Sequence, residues 1–599
     1  MARGVLYPGL GSSPRCPPPP PGLLLFFCLR FGPRAGRFLA MGRGSVPCEA
    51  SMSLWKRLAL VPLLLAAASC SHDESPAAAS AKPADSTEPP PAASGSKPDA
   101  KSDDEDDLER AKARPKVPAA VTLGGEFRPL SVSVVDPSRR RVYSRSLRTW
   151  IHARPSKKSR RLGYLRAGAS TPTSDKPAGH DGCKQGWYPV EPDGYVCVGR
   201  HATLDANDPI VRATREFQPD PSRRLPYIYG TVRRPGPIYG RLPSSEELHK
   251  AEPDIDDRME KWLTAEGEIG ASYAQDVWLG GAGTLVDPAQ AWKDKTTDPL
   301  PWFLKDGGEA PNIYRKARSG DLVIERMKPH VGFSFLQTFL FEGRRYGVTT
   351  DLKVMPTDRL RPIQGSDFHG VEIGKDIDFP FAFIRRSDAK FWLYQKSGNK
   401  LIDAGNAPYR AAIKLTGKQQ FFRKRLHYET TDGKWLSDRD ASRLDPAKRM
   451  PGWGKAGEKW IDVNLTKQTV VLYEGEKPVY ATLVSSGEAG LEDPKHTTAT
   501  KRGIFRIHTK HITATMASDE VGEEFELRDV PYVQYFDKEG YALHGAYWHD
   551  RFGTPKSHGC INLAPEDARR IFFWTEPQVP TGWHGVLLPL RGTVMFVHP

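Results

Sequence analysis

The sequence predicts a mainly β protein that ends in a β-meander with one short helix and carries small β-barrel modules ahead of it. Three observations predict this class. Residues 455–599 alternate apolar and polar side chains at a period of two, with Ile461, Val463 and Leu465 interleaved by Asp462, Asn464 and Thr466. Residues 149–197 are short apolar segments punctuated by Gly, Pro and Asp turns, the pattern of a small all-β barrel. Helical spacing is confined to two places: "SSEELHKAEPDIDDRMEKWLTAEG" (244–267), where Ile255, Met259, Trp262 and Leu263 make the stripe of one amphipathic helix, and a shorter run after Pro565.

At 599 residues the chain exceeds one hydrophobic core, so two to four domains are expected. The formal charge is +14, of which residues 1–51 supply +5 through six arginines against Glu49, leaving +9 for the rest. That is mildly basic for the size. No basic run interleaves with aromatics and no nucleic-acid motif occurs, so the sequence points away from a nucleic-acid partner. An anionic polymer such as a cell wall fits the charge.

The first element in order is a leader. From Met52 the chain reads "MSLWKRLALVPLLLAAASC", with basic Lys56 and Arg57, an apolar run from Leu58 to Ala68, and small residues before Cys70. This is the build of a secretory signal, and the run is too short for a spanning helix of about 20 residues. Small residues followed by cysteine resemble the lipobox of bacterial lipoproteins, which implies a signal peptide over 52–69 and lipidation at Cys70. Residues 1–51 precede that signal, so Met52 is the expected start. Residues 70–118 hold almost no large apolar side chains and read as a disordered tether.

In an exported chain, cysteine usage is informative. Of seven cysteines, Cys16, Cys28 and Cys48 lie in the leader and Cys70 at the lipid site, which leaves Cys183, Cys197 and Cys560. A pair plus one in an exported chain suggests a disulfide and a free thiol with a task. Residues 119–203, with "LGYLRAG" and "GWYPV...GYVC", resemble a bacterial Src-homology-3-like domain, in which Cys183 and Cys197 would staple the last hairpin. Residues 204–454 are a mixed region holding the helix and further β modules. "LHYETTDGKWLSDRDASRL" (426–444) resembles the closing hairpin of such a barrel, and His369 and His427 read as ordinary surface or strand histidines.

Within 455–599 the elements follow from their turns. "KWIDVNLTKQTVVLYEGEKPVYATLVSSG" is a meander about "EGEKP"; "GIFRIHTKHITATM" (503–516) is a strand pair; "YVQYFDKEGYALHGAY" (532–547) is two strands about Asp537–Gly540. His544 then ends a strand. Pro565, Glu566 and Asp567 open a helix whose buried stripe is Ala568, Ile571 and Phe572. Cys560 falls on a Gly-preceded loop before that helix, where backbone N–H groups can lower a thiol's pKa and receive an oxyanion.

Three chemistries compete for "LHGAYWHDRFGTPKSHGCINLAPEDA" (543–568). A metal site from His544, His549, His558 and Cys560 would crowd two ligands on a tight loop and lacks a second cysteine or carboxylate. A structural thiol disagrees with the flanking Gly, Ser557 and His558. Nucleophilic catalysis by a thiolate, with a histidine reached through space as base, fits both the residue types and their setting.

His544-Gly545, a spacer, then Ser557-His558-Gly559-Cys560-Ile561-Asn562 resembles the signature of the L,D-transpeptidase catalytic domain family, and the likeness extends over about 455–599. One departure is Thr500-Lys501-Arg502-Gly503, where the family has Thr-Pro-x-Gly. The resemblance implies a β-sandwich with a short helix after the catalytic cysteine. It implies no cofactor and no metal, and peptidoglycan stem peptides as partners. Cys560 would attack the carbonyl between the third stem residue, a diamino acid, and the terminal D-alanine. The resulting thioester would pass to the side-chain amine of a second stem. His544 would serve the thiol, oriented by the Gly545 carbonyl, and the N–H groups of Gly559 and Cys560 would hold the oxyanion. His558 would polarise the site or brace its loop. Ser557 and Asn562 would hold the loop, Tyr547 and Trp548 would wall the acyl-donor groove, Met516 would lie at a lid, and His549 would face solvent.

Two rival classes stay open: an L,D-carboxypeptidase in which water takes the thioester, and a wall-binding lipoprotein without activity. A protein lysine is a further possible acceptor. The lipobox implies a membrane anchor in the bacterial envelope, with Ser71 after the lipidated cysteine favouring the outer membrane over the inner, and a monomer is expected.

Overall fold

The computed structural model describes residues 139–264, 286–314, 322–422, 424–518, 525–588 and 592–599. The expected leader, signal peptide, Cys70 and tether lie outside the described residues. Strand far outweighs helix, as the alternation predicts, and among the described residues no helix is long and apolar enough to cross a membrane.

The first β unit is built on Val142, Ile151, Leu165 and Val196, all fully buried. Strands Thr149–His152 and Arg161–Leu165 pair with Trp150 opposite Tyr164, and Trp187–Pro189 pairs with Tyr195–Cys197. Cys183 and Cys197 are joined by a disulfide with their Cα atoms 5.8 Å apart. The edge of this unit continues into the C-terminal region, because Arg161–Leu165 also pairs with Gly585–Leu587. Contact is so close that a Cβ on Gly163 would sit 2.2 Å from the Gly585 carbonyl oxygen, so only glycine fits there.

The expected single helix over 244–267 is two helices, Ser245–Ala251 and Ile255–Thr264. Pro253 explains the break: it forces Glu252 out of the helical region, to φ −137° and ψ 78°. Ser244 and Glu247 cap the first helix reciprocally. Ile255, Met259 and Leu263 are buried, as their spacing requires, and Trp262 packs beside them. Around these helices, strands Ile228–Val232, Gly332–Phe341, Arg344–Thr349, Val354–Pro356 and Leu360–Ile363 form a second β unit. At its centre Arg344, 1% exposed, pairs with Glu252 and Asp358, and Arg258 joins the same two carboxylates.

A third β unit is a seven-stranded sheet in the order Lys400–Asn406, Lys390–Gln395, Trp435–Ser437, Arg425–Thr430, Ala412–Phe422, Phe381–Ile384, Ala441–Leu444. His427 lies on one of its strands, buried, with Nδ1 near the Arg425 carbonyl oxygen.

The C-terminal region is two sheets about one core. In the first, Lys459–Asn464 lies between Thr469–Glu474 and Val594–His598, and Gly503–Arg506 adds to the latter. In the second, Thr509–Ser518, Phe525–Tyr535, Ala542–Gly545 and Ile561–Leu563 follow one another. Lys477–Ser485 joins both, pairing with Thr469–Glu474 along its length and with Ile561–Leu563 at its end. Residues 503–516 are thus not a pair with each other. Their two strands part at Ile507 and enter different sheets. The helix Pro565–Trp574 buries Ala568, Ile571 and Phe572 against this core.

Candidate active site

The site is built on the parallel pair Ala542–Gly545 and Ile561–Leu563, in which Leu543 faces Ile561, His544 faces Asn562 and Gly545 faces Leu563. Side chains alternate along each strand. Leu543, Ile561 and Leu563 enter the central core, so Ala542, His544 and Asn562 occupy the opposite face. Continuing the register one residue back sets Cys560 beside Ala542, and both belong to the apolar cluster on that face. Cys560 and His544 therefore share one face of two adjacent strands.

The thiol is half-buried. The Ala542 backbone N–H is directed at it, and its Sγ lies 3.9 Å from the Gly540 carbonyl oxygen. Burial pushes the thiol pKa up to about 11, and the Ala542 N–H offsets only part of that. This overturns the expectation of a thiol activated by a helix terminus. The reason is structural: Ile561–Leu563 is a strand, so Cys560 stands a full strand away from the first turn of the helix. Burial likewise pushes His544 down to about 4, with its Nδ1 3.5 Å from the Gly545 carbonyl oxygen. Burial thus disfavours the charged form of each group.

The loop before the thiol is held rigidly. Ser557 Oγ accepts the Gly559 N–H at 3.1 Å and donates to the Cys560 carbonyl oxygen. Thr500 Oγ1 donates to the Gly559 carbonyl oxygen at 2.8 Å and accepts the Gly487 N–H at 2.8 Å. The Gly559 N–H is therefore engaged by Ser557, which corrects its expected place in an oxyanion hole. Gly559 has φ +122°, and a Cβ there would stand 2.8 Å from the Tyr541 ring.

This constellation sits inside a sequence match. Residues 458–586 match the YkuD family model, described as the L,D-transpeptidase catalytic domain. That match covers about a fifth of the chain. YciB of Bacillus subtilis (strain 168), itself a candidate L,D-transpeptidase, is 27% identical over 139 residues, 19% of this chain and 59% of that protein. The chain thus spans less than two thirds of that relative's length. The catalytic domain of the Enterococcus faecium L,D-transpeptidase is 26% identical over 24% of this chain and 98% of its own, with a TM-score of 0.19. An L,D-transpeptidase from Stackebrandtia nassauensis is 26% identical over 26% of this chain and 58% of its own, with a TM-score of 0.17.

Around Cys560 and His544, the structure separates the other expected residues. Trp548 is half-buried with its ring 5.7 Å from that of His544. Tyr547 is not a groove wall: it is 3% exposed, 4.5 Å from the Tyr229 ring, with its hydroxyl donating to the Arg528 carbonyl oxygen. Met516 lies on the strand Thr509–Ser518 opposite Leu527 and packs on the same cluster as Cys560. The Ser-Asp loop beyond it falls outside the described residues. His558 is exposed, its ring 5.2 Å from Phe525. His549 does not simply face solvent, because its Nε2 is 2.8 Å from the Asn562 amide. Among the described residues no three His, Cys, Asp or Glu side chains gather as metal ligands.

Sequence reading missed Tyr535 and Tyr541, both close enough to Cys560 for the thiolate charge to act on them. Nothing in the local sequence marks them. Tyr541 flanks the hairpin turn, and only the folded turn lays its ring over Gly559.

Proposed function

We propose that this chain is a peptidoglycan L,D-transpeptidase that works by cysteine acyl transfer. The observation that carries the reading is the shared face of Cys560 and His544 on adjacent parallel strands, within a segment that matches the L,D-transpeptidase catalytic domain. Because burial disfavours both charged forms, His544 acts as general base during attack, taking the thiol proton as sulfur bonds to the stem carbonyl. The tetrahedral intermediate then collapses. The bond to D-alanine breaks, His544 returns the proton to the departing amine, and a thioester to Cys560 is left. The side-chain amine of a second stem attacks that thioester, gives a new amide, and restores the thiol. The Cys560 N–H is the backbone donor assigned to the oxyanion. Trp548 borders the donor beside His544.

The setting goes with this reading: a lipid anchor at Cys70 would hold the enzyme in the bacterial envelope, where the stems are. The β unit stapled by Cys183 and Cys197 supports the domain edge through Gly163 and Val586. The test is to incubate the full chain, wild type and Cys560→Ala, with disaccharide-tetrapeptide and to weigh the products. A Cys560-dependent dimer lacking one D-alanine is expected. Loss of D-alanine without dimer would instead mark an L,D-carboxypeptidase, and no Cys560-dependent product would leave wall binding.

A further inference from the structure

The side-chain amide of Asn562 carries an inference that rests on the transpeptidase reading of this site and adds a residue to it. Asn562 is 2% exposed and stands opposite His544 in parallel register, on the face that also carries Cys560. One end of its amide lies 2.8 Å from His549 Nε2. The other end accepts no hydrogen bond.

His549 decides which atom is at which end. The Arg551 backbone N–H donates to His549 Nδ1 over 3.2 Å, so Nδ1 holds a lone pair. A neutral imidazole whose Nδ1 accepts carries its proton on Nε2. An Nε2–H needs an acceptor, and the amide oxygen is the acceptor Asn562 offers. Oδ1 therefore faces His549, and the NH2 group is the buried end left over on the face of the site. Burial keeps this ring neutral above about pH 4, and Phe552 packs against it with ring centroids 5.2 Å apart.

We propose that His549 is a positioning residue: its Nε2–H holds Asn562 Oδ1 and thereby presents Asn562 Nδ2 to a peptide carbonyl oxygen of the acyl donor beside Cys560. An amide end that no protein group donates to fits the NH2 group, and a substrate oxygen on this face would be an acceptor for it. The sequence reading placed His549 in solvent, and no partner for it is visible next to Tyr547 and Trp548. The partner arrives thirteen residues later, across the strand pair.

Initial rates of D-alanine release from disaccharide-tetrapeptide by the full chain test this. His549→Phe is expected to raise KM about tenfold with kcat within about twofold, the mark of lost uniform binding. His549→Gln, whose amide N–H reaches the same place, is expected to recover most of the loss. On an Asn562→Ala background, His549→Phe is expected to add nothing. An unchanged KM in His549→Phe, equal damage from Phe and Gln, or additive damage on the Asn562→Ala background would each overturn the proposal. The 15N shifts of His549 judge the hydrogen bond without any activity: a protonated Nε2 with a bare Nδ1 is expected, and the opposite tautomer overturns it. A wild-type chain that releases no D-alanine through Cys560 defeats the transpeptidase reading, and with it the substrate contact of Asn562, whatever the tautomer.

Discussion

Arg166 of the first β unit and Asp529 of the C-terminal region form a buried ion pair at 2.8 Å, with side chains 12% and 3% exposed. Thr350 and Thr513 donate to the same carboxylate at 2.7 and 2.8 Å, and Ser334 donates to it as well. Strands from three parts of the chain thus converge on one side chain of Phe525–Tyr535, the strand that pairs with the one bearing His544. Replacing Asp529 by Ala leaves a buried guanidinium unpaired and three hydroxyls without their acceptor, so a loss of roughly 3–5 kcal/mol is expected. Urea unfolding of the full chain measures it, and a loss under about 1 kcal/mol would contradict the hub.

The same convergence predicts that residues 455–599 do not fold well alone. Removing the partner segments strips Tyr229 from Tyr547 and the strand Arg161–Leu165 from Gly585–Leu587. Exposed apolar surface and an open strand edge invite aggregation. Circular dichroism and sedimentation of the fragment are expected to show loose packing or association, whereas a monomeric fragment with a sharp thermal transition would contradict this.

Buried and half-buried histidines make this region acid-sensitive. Burial pushes His511 to about 3, and His544 and His549 to about 4, below the ordinary value of about 6.5. Between those values the unfolded chain binds protons that the folded chain refuses. Stability is then independent of these groups above about pH 6.5 and falls as pH drops toward 4. Urea midpoints taken from pH 7.5 to 4.5 check the direction; a flat profile would contradict it.

The grouping of Cys560, His544 and Asn562 on one face was legible in the sequence because these residues are local: Ser557 to Asn562 are consecutive, and His544 lies within one loop of them. The period-two alternation around Ile461 and the stripe at Ile255, Met259 and Leu263 also gave elements of the right kind. What failed was non-local or too short to leave a pattern. Ile561–Leu563 holds three residues, fewer than a period-two signal needs, so the strand between Cys560 and the helix was invisible, and the thiol's pKa was expected to move in the wrong direction. Tyr547 was misplaced because its partner, Tyr229, is over three hundred residues away. Strands Gly503–Arg506 and Thr509–Ser518 adjoin in sequence yet enter different sheets, and turn chemistry alone does not reveal that.

Gly559→Ala should separate folding from catalysis. Its φ of +122° and the Tyr541 ring at 2.8 Å from a Cβ disfavour any side chain, and the cost falls on the loop that aims Cys560. The expected outcome is a loss of D-alanine release of about a hundredfold, the scale of a roughly 1 Å misplacement, with a thermal midpoint within a few degrees of wild type. Unchanged activity would contradict the strained loop.

The thiol itself gives the next check. A pKa near 11 keeps Cys560 protonated at neutral pH, so alkylation by iodoacetamide should rise about tenfold per pH unit from 7 to 10. A plateau already reached at pH 8 would mean an activated thiolate.

Intact-mass spectrometry of the full chain mixed briefly with disaccharide-tetrapeptide tests the central claim most directly. The account predicts a species heavier by the donor less D-alanine, mapped to Cys560, absent in Cys560→Ser, and discharged when a stem amine is added. An adduct on any other residue, or turnover without an adduct and undiminished in Cys560→Ser, would contradict it.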